Sequence, residues 1–510
     1  MLNNVLDYLR GPLAEVPDKV AFAGENGALT FRQVDAVSAS IGSAVAARGI
    51  RRAPVVVFMR KSPEEIAAFF GVIRAGCFYV PIDEEMPFAR ISLILKNVRA
   101  KLMICDEETM PLAASFDLCG AEPVLYSDLA RFERNDEVLA NVRARALDID
   151  PIYIVFTSGS TGIPKGVCAC HRSVIDYIEH LSEILRVDRT TVFGNQSPLY
   201  FDACLKELYP TLKFGATAWL IPKRLFSTPV ELVRFLNEHE INTVCWVVSA
   251  LTMVSAFDTF SVEIPRTLRT VAFGSEVFPI VQFNRWREAL PDADFINLYG
   301  PTEGTGMCCY YRVDRDFAEG DVIPIGRPFP NREILLLKED GTEAKDGEEG
   351  EIVLRASSVT LGYYNDPERT AAAFIQNPLN TAYPETVYRT GDVGRWGEDG
   401  LLYFVSRRDY QIKHMGHRIE LGEIEVTADG IEGVRMAACV YNSSARRIVL
   451  CYIGETDEKT LLAALRGRLP RYMLPGRIVR MDSMPFTQNG KIDRVALRRE
   501  YAPEDGVKGK

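Results

Sequence analysis

Short, wholly apolar runs alternate with helix-patterned stretches along most of this chain, and that alternation leaves few architectures open. Val55-Val56-Val57-Phe58-Met59 has no polar face, so a strand built from it is buried on both sides. Ser62-Pro63-Glu64-Glu65 follows as N-cap, first-turn proline and capping-box glutamate of a helix that stops at Gly76. Tyr79-Val80-Pro81-Ile82-Asp83, a helix over 87–99 and the strand Leu102-Met103-Ile104-Cys105 repeat the pattern. The spacing also predicts helices over 31–49, 173–184, 229–238 and 279–290, and strands over 241–248, 268–273 and 295–299. Strand–helix–strand repeats imply a parallel sheet covered on both faces.

From Glu333 the texture changes to hairpins. Residues 334–337 and 351–354 flank a turn-rich stretch, and Asp399-Gly400 joins another strand pair. The last hundred residues read as a helix over 420–427, a hairpin of 434–441 with 447–453, a helix over 458–469 and a strand over 477–481. The expected organisation is a large N-terminal domain over 1–405, with α/β parts and a β-rich subdomain at about 320–405. A hinge at 406–409, a small α+β C-terminal domain over 410–502 and a polar tail over 503–510 complete it.

The formal charge of −10 over 510 residues offers no electrostatic footprint for nucleic acid or an anionic membrane, so neither is expected as a partner. The start lacks a basic segment followed by an apolar core, and no apolar run reaches the roughly 18 residues of a membrane span, which makes a cytoplasmic protein the expectation. The eleven cysteines are scattered; Cys168/Cys170 and Cys308/Cys309 lack a second pair at zinc-site spacing, so they read as reduced thiols. The five histidines form no metal-ligand set.

One apolar run ends differently. Ile154-Val155-Phe156 leads into Thr157-Ser158-Gly159-Ser160-Thr161-Gly162-Ile163-Pro164-Lys165-Gly166. Backbone N–H groups, four hydroxyls and the Lys165 ammonium suit a polyphosphate. Gly, Ser and Thr also make mobile linkers, which is the competing reading. A Walker A loop is disfavoured, because Pro164 stands where that motif needs glycine before the lysine.

Five segments in order carry a resemblance: the loop at 157–166, Asn297-Leu298-Tyr299-Gly300-Pro301-Thr302-Glu303, Tyr388-Arg389-Thr390-Gly391-Asp392, the stretch 407–420, and Asn489-Gly490-Lys491-Ile492-Asp493. Over about residues 29–497 the chain resembles the adenylate-forming ligase superfamily, which includes acyl-CoA synthetases, luciferases and the adenylation domains of nonribosomal peptide synthetases. The resemblance implies an acyl-adenylate synthetase-like fold and two half-reactions. A carboxylate attacks the α-phosphate of ATP to give an acyl-adenylate and pyrophosphate, and a thiol then displaces AMP. It implies that Thr157, Ser158, Gly159, Ser160, Thr161, Gly162 and Lys165 close over the β- and γ-phosphates, that Glu303 holds Mg²⁺ with Thr302 beside it at the phosphate, that Asn297, Tyr299 and Gly300 bind the nucleotide, and that the Tyr299 ring stacks on adenine. It further implies that Asp392 accepts from the ribose hydroxyls, with Arg407 nearby, and that Lys491 bridges the substrate carboxylate and the α-phosphate. Asp409 matches the hinge and Gly416 the thioester site reached by a pantetheine arm. Ser406 departs from the family, which usually has glycine before the arginine.

Phe201-Asp202-Ala203 resembles the segment whose aspartate binds the α-ammonium in amino-acid-activating members. The alternative is that Asp202 caps a helix over 203–212. The corresponding pocket positions are Asp202, Ala203, Lys206, Trp246, Val271, Phe273, Leu298, Gly306, Met307 and Lys491. Lys206 is unusual there: it either pairs with Asp202 at i,i+4 or faces solvent, or it reads a polar or acidic substrate side chain. The style of Gly416-His417-Arg418-Ile419-Glu420 resembles free-standing D-alanine:carrier-protein ligases, although Phe273-Gly274-Ser275-Glu276 lacks their cysteine. Because little sequence follows Lys491, the phosphopantetheine thiol is expected from a separate carrier protein. An acyl- or aryl-CoA synthetase is the alternative, and a degenerate nucleotide-binding regulatory protein a third reading.

Overall fold

The structure is a computed structural model that describes residues 2–159, 162–407, 411–486 and 492–503. Two compact units are formed, one from Met1–Glu84, Val98–Val155 and Gly166–Arg408, the other from Glu85–Asn97, Phe156–Lys165 and Asp409–Lys510.

The first unit contains the expected doubly covered sheets. A nine-stranded sheet runs in the spatial order Arg327–Pro328, Cys309–Arg312, Asp294–Tyr299, Thr270–Gly274, Thr243–Val247, Val192–Asn195, Thr217–Leu220, Val20–Gly24 and Gly27–Thr30. Its central strands are parallel and its edges antiparallel. A six-stranded sheet follows the order Glu122–Leu125, Leu102–Cys105, Pro54–Phe58, Phe78–Ile82, Pro151–Thr157 and Lys165–Cys170. The strand Pro54–Phe58 lies between two parallel neighbours and is buried at every residue, which is why its sequence is uninterruptedly apolar.

Local chemistry sets the helix starts. Thr30 and Gln33 form a reciprocal capping box for the helix Phe31–Ala47. Ser62 accepts from the Glu65 N–H ahead of the helix Pro63–Arg74, with Pro63 at its first turn. The β-rich part is a five-stranded antiparallel sheet in which Glu349–Ala356 pairs with Arg332–Leu337 and Thr386–Trp396, the latter also pairing with Phe374–Gln376 and Leu402–Arg407.

In the second unit, Val434–Asn442 and Arg447–Gly454 form a hairpin that Arg477–Arg480 joins in parallel. The helices Leu421–Asp429 and Glu458–Arg466 bury Ile424, Leu461 and Leu465 in one apolar cluster with Leu450 and Tyr452. Gln411–His414 and His417–Glu420 make a tight hairpin whose turn residues Met415 and Gly416 have φ of 51° and 78°. Two left-handed residues in succession are the mark of a type I′ turn.

Candidate active site

Thr302 and Glu303 follow the carboxyl end of a parallel strand, where open α/β sheets bind ligands. The strand Asp294–Tyr299 ends at Gly300, where an added Cβ would lie 2.2 Å from the Gly306 carbonyl oxygen, so the chain can fold back tightly only on glycine. A short 3₁₀ turn, Thr302–Gly304, then buries Glu303 completely. The Tyr363 hydroxyl donates to Glu303 Oε1 at 2.7 Å, and the Thr360 N–H donates to the Glu303 carbonyl at 2.9 Å. Glu303 is thus held at both its backbone and its side chain.

Asp392 lies on the strand Thr386–Trp396 and is 2% exposed. Its Oδ2 accepts from the Tyr299 hydroxyl at 2.5 Å, its Oδ1 accepts from Arg407, and its N–H donates to Thr390 Oγ1 at 3.0 Å. Burial and then the Asp392 charge push the Tyr299 phenol well above its ordinary value, so it remains a donor. Tyr299 is 3% exposed and belongs to an apolar cluster with Cys308, Cys309 and Ile334. Asn297 spends an amide hydrogen on the Pro324 carbonyl at 2.8 Å.

The loop after Pro151–Thr157 belongs to the second unit. Ser158 donates to the Arg418 carbonyl at 2.7 Å and accepts from the Glu420 N–H at 3.1 Å. The Gly159 N–H donates to Glu423 Oε2 at 3.1 Å, and Arg90 donates to Glu423 Oε1 at 2.7 Å. Lys165 lies 3.4 Å from Glu420 Oε1. These are donors that suit an anion, here turned to the Arg418 carbonyl and to the carboxylates of Glu420 and Glu423 in the same unit. The Thr157 hydroxyl is buried without a hydrogen-bond partner among the described residues. Ser160, Thr161, Asp409 and Lys491 lie outside the described residues.

Asp202 opens a 3₁₀ turn, Asp202–Cys204, that runs into the helix Leu205–Phe214. Its side chain does not cap that helix, whose N-cap residue is Cys204, so the capping alternative is not what folds. Burial raises the Asp202 carboxyl, while the Lys206 ammonium and the Thr302 hydroxyl pull it down. Glu303 is a further electrostatic neighbour. Lys206 is 5% exposed and forms no ion pair within 4 Å among the described residues, so it is neither the i,i+4 partner of Asp202 nor an exposed lysine.

A family model described as AMP-binding enzyme matches residues 10–364. The chain belongs to the AMP-binding enzyme family. It spans less than half the length of each nonribosomal synthetase that it matches. It is 31% identical over 509 residues to a D-alanine--D-alanyl carrier protein ligase of Bacillus cereus (strain Q1), covering 97% of this chain and 99% of that protein. It is equally 31% identical, over 490 residues, to tyrocidine synthase 1 of Brevibacillus parabrevis, covering 94% of this chain but only 43% of that longer protein. The solved structure of holo-PA1221, an NRPS protein containing adenylation and PCP domains, superposes with a TM-score of 0.81 at 25% identity, over 97% of this chain and 84% of that one.

Among the described residues, the pocket positions do not share one face. Trp246 pairs with Phe273 across neighbouring strands, and Trp246, Val271 and Phe273 pack with Phe278 and Phe283 on one side of the sheet. The Trp246 indole N–H is already given to the Gly194 carbonyl at 2.8 Å. Leu298 and Met307 pack on the other side with Leu205 and Tyr177. Gly306 has φ 79° and an added Cβ would meet the Tyr177 ring at 2.7 Å. The electrostatic neighbours of Asp202 and Lys206 include Tyr153, Tyr177, Glu207 and Cys245, none of which the motif pattern singled out. Glu207 did carry a signal: it is a carboxylate on a helix whose residues Leu205 through Leu212 are all buried. Tyr363 carried none, because nothing near it in sequence announces Glu303.

Proposed function

We propose that this ligase activates an amino acid with ATP and passes the aminoacyl group to the phosphopantetheine thiol of a separate carrier protein. The observation that carries the amino-acid reading is Asp202, a recessed carboxylate that caps nothing and has Thr302 and Glu303 as neighbours. A charge-assisted bond from an α-ammonium would satisfy it. The match along 99% of a D-alanine--D-alanyl carrier protein ligase supports carrier-protein loading.

The two steps differ in what they demand. In the first, an anionic carboxylate must approach the α-phosphate of ATP, and cationic groups lower that repulsion. Lys491 is assigned to bridge the two anions, and Lys165 with the loop donors at 157–162 to hold the pyrophosphate as it leaves. Asp392, with both oxygens already oriented by Tyr299 and Arg407, is assigned to the ribose hydroxyls. In the second step the thiol attacks the aminoacyl carbonyl and AMP departs with the bond electrons; Gly416 at its tight turn lets the pantetheine arm pass close to backbone.

Mg²⁺ fits the donor set on Glu303, a hard oxygen ligand, because this ion takes one or two carboxylates together with substrate phosphates. When bound, it would neutralise phosphate charge; the chain's own share is to hold Glu303 still through Tyr363. The test is amino-acid-dependent pyrophosphate exchange across D- and L-amino acids and amine-free acids, followed by transfer to a phosphopantetheinylated carrier protein. Exchange with an amine-free acid alone would overturn the reading.

A further inference from the structure

Gln411–His414 and His417–Glu420 form a ribbon of two strands that, among the described residues, joins no other sheet. Such a hairpin is marginal on its own in water, so side-chain packing must fix where its tip lies. Residues directly opposite each other share a face, and the faces alternate along the ribbon. The pairs Ile412↔Ile419 and His414↔His417 therefore lie on one face, and Gln411↔Glu420 and Lys413↔Arg418 on the other. Across that other face Arg418 donates to Gln411 Oε1 at 2.6 Å. The first face turns to the core of its own unit: Ile419 is fully buried in the apolar cluster there, and Ile412 packs against it.

At the tip each histidine meets a tyrosine. His414 Nδ1 lies 3.2 Å from the Tyr441 hydroxyl, with the ring centroids 5.6 Å apart and the planes at 75°. The His417 ring lies flat on Tyr472, with centroids 3.7 Å apart and planes 4° from parallel. Tyr441 belongs to the strand Val434–Asn442 and Tyr472 to the 3₁₀ turn Arg471–Met473, and both pack against the cluster that buries Ile419 and Ile424. The hairpin is thus gripped immediately on either side of Met415 and Gly416, the two left-handed residues of its turn. The turn cannot anchor itself, because Met415 is 52% exposed and Gly416 has no side chain. An aliphatic residue in place of either histidine would offer neither a flat face to Tyr472 nor a nitrogen to the Tyr441 hydroxyl.

We propose that His414 and His417 are positioning residues for thioester formation: through Tyr441 and Tyr472 they fix the place of the Met415–Gly416 turn, along whose backbone the pantetheine arm passes. This rests on the assignment of Gly416 to the thioester site. The role is mechanical, since the histidines hold one wall of the path by which the thiol reaches the acyl carbonyl. Misplacing a reacting group by about 1 Å can cost on the order of 100-fold in rate, so a loosened wall is felt in the chemistry. In this assignment the turn serves the second half-reaction alone, and adenylation should proceed without it.

The experiment compares two assays on the full chain: pyrophosphate exchange with the acid that the wild type activates, and single-turnover transfer of the enzyme-bound acyl group to free pantetheine and to a phosphopantetheinylated carrier protein. His417→Ala and Tyr472→Ala should each slow transfer by roughly 10- to 100-fold while exchange changes by less than about twofold. The double variant should be no slower than the slower single one, because the two rings act as one contact. His417→Phe keeps a face for Tyr472 and should restore most of the rate. Hydrogen exchange followed by mass spectrometry needs no substrate: in His417→Ala, protection should fall over residues 411–420 and hold over the hairpin of Val434–Asn442 with Arg447–Gly454. Unaltered protection at 411–420 overturns the grip itself. Equal losses in exchange and transfer overturn the positioning role in favour of a general structural one. Lost protection with unaltered transfer removes Gly416 from the thioester site and the positioning role with it. Wild-type transfer to pantetheine with none to the carrier protein would instead fail the carrier-protein reading while the variants still test the histidines, so the failures are distinguishable.

Discussion

The Tyr299 hydroxyl donates to Asp392 Oδ2 at 2.5 Å, joining the end of one parallel strand to a strand of the antiparallel sheet. With Arg407 on the other oxygen, the carboxylate cannot rotate without breaking a charge-assisted bond. Tyr299→Phe is therefore expected to lose about 1.5–3 kcal/mol of stability, the range for a hydrogen bond to a charged group. The KM for ATP should rise while the KM for the amino acid holds. Urea unfolding and pyrophosphate exchange check the two halves, and equal loss at both KM values would contradict the assignment of Asp392 to the nucleotide.

Tyr363 does for Glu303 what Tyr299 does for Asp392. Its hydroxyl fixes Oε1 of a fully buried carboxylate. In Tyr363→Phe that oxygen loses the Tyr363 hydroxyl, and the carboxylate is held less firmly. Affinity for ATP in the presence of Mg²⁺ should fall several-fold, whereas affinity for ATP in EDTA should be unaltered. Calorimetric titration under both conditions separates these, and the same loss in EDTA would show that Tyr363 acts on the fold rather than on a metal-binding carboxylate.

The helical cap at Ser62 and the buried strand Pro54–Phe58 were legible because each is written in contiguous residues. The strand Lys165–Cys170 was not, because Lys-Gly-Val-Cys-Ala-Cys has a single β-branched residue among small ones and follows a glycine-rich loop. A capping role for Asp202 assumed a helix from residue 203; the intervening 3₁₀ turn displaces the N-cap to Cys204. The ordered motifs pointed to Glu303, Asp392 and Lys165 but not to the partnerships with Tyr363, Tyr299 and Glu420, since pairs so distant in sequence leave no local trace. The pocket positions followed motif spacing, which ignores the period-two alternation that sends Phe273 and Leu298 to opposite faces of the sheet.

Lys491, which lies outside the described residues, is assigned to the adenylation step alone. Lys491→Ala should abolish pyrophosphate exchange yet leave ATP binding intact. Transfer from a preformed aminoacyl-adenylate to the carrier thiol should persist. Loss of both half-reactions in equal measure would contradict a role confined to the first.

His171 is buried beneath the N-terminal segment, with Nδ1 accepting from the Val5 N–H at 3.3 Å and Nε2 3.4 Å from the Asn4 amide. Burial, opposed by Asp150, lowers the ring to about 4. The unfolded chain takes its proton near 6.5, so stability present above that pH is lost as pH falls toward 4, by about 3 kcal/mol in all. His171→Gln should be less stable at pH 7 through lost hydrogen bonds, yet lose less on going to pH 4.5. Urea midpoints at the two pH values test this; parallel losses in both proteins would refute it.

Glu207 should contribute with the opposite sign. Burial raises its carboxyl from 4.5 to about 7, against the pull of Lys206, Asn195 and Lys61. Between those values the native state holds a proton that the unfolded chain has released, so its contribution is full below pH 4.5 and is lost as pH rises through 7. Over that window the loss amounts to about 3 kcal/mol. Glu207→Gln keeps an acceptor for Asn195 and has nothing to titrate, so its stability should fall less steeply than wild type between pH 5 and 8. The slope is the diagnostic quantity, because removing the carboxylate also deprives Lys61 and Lys206 of a counter-charge and lowers stability at every pH. Denaturant unfolding at pH 5, 6.5 and 8 measures it. Identical slopes would mean that Glu207 is ionised throughout, firmly paired with the two lysines, and that the cluster carries a fixed rather than a labile negative charge.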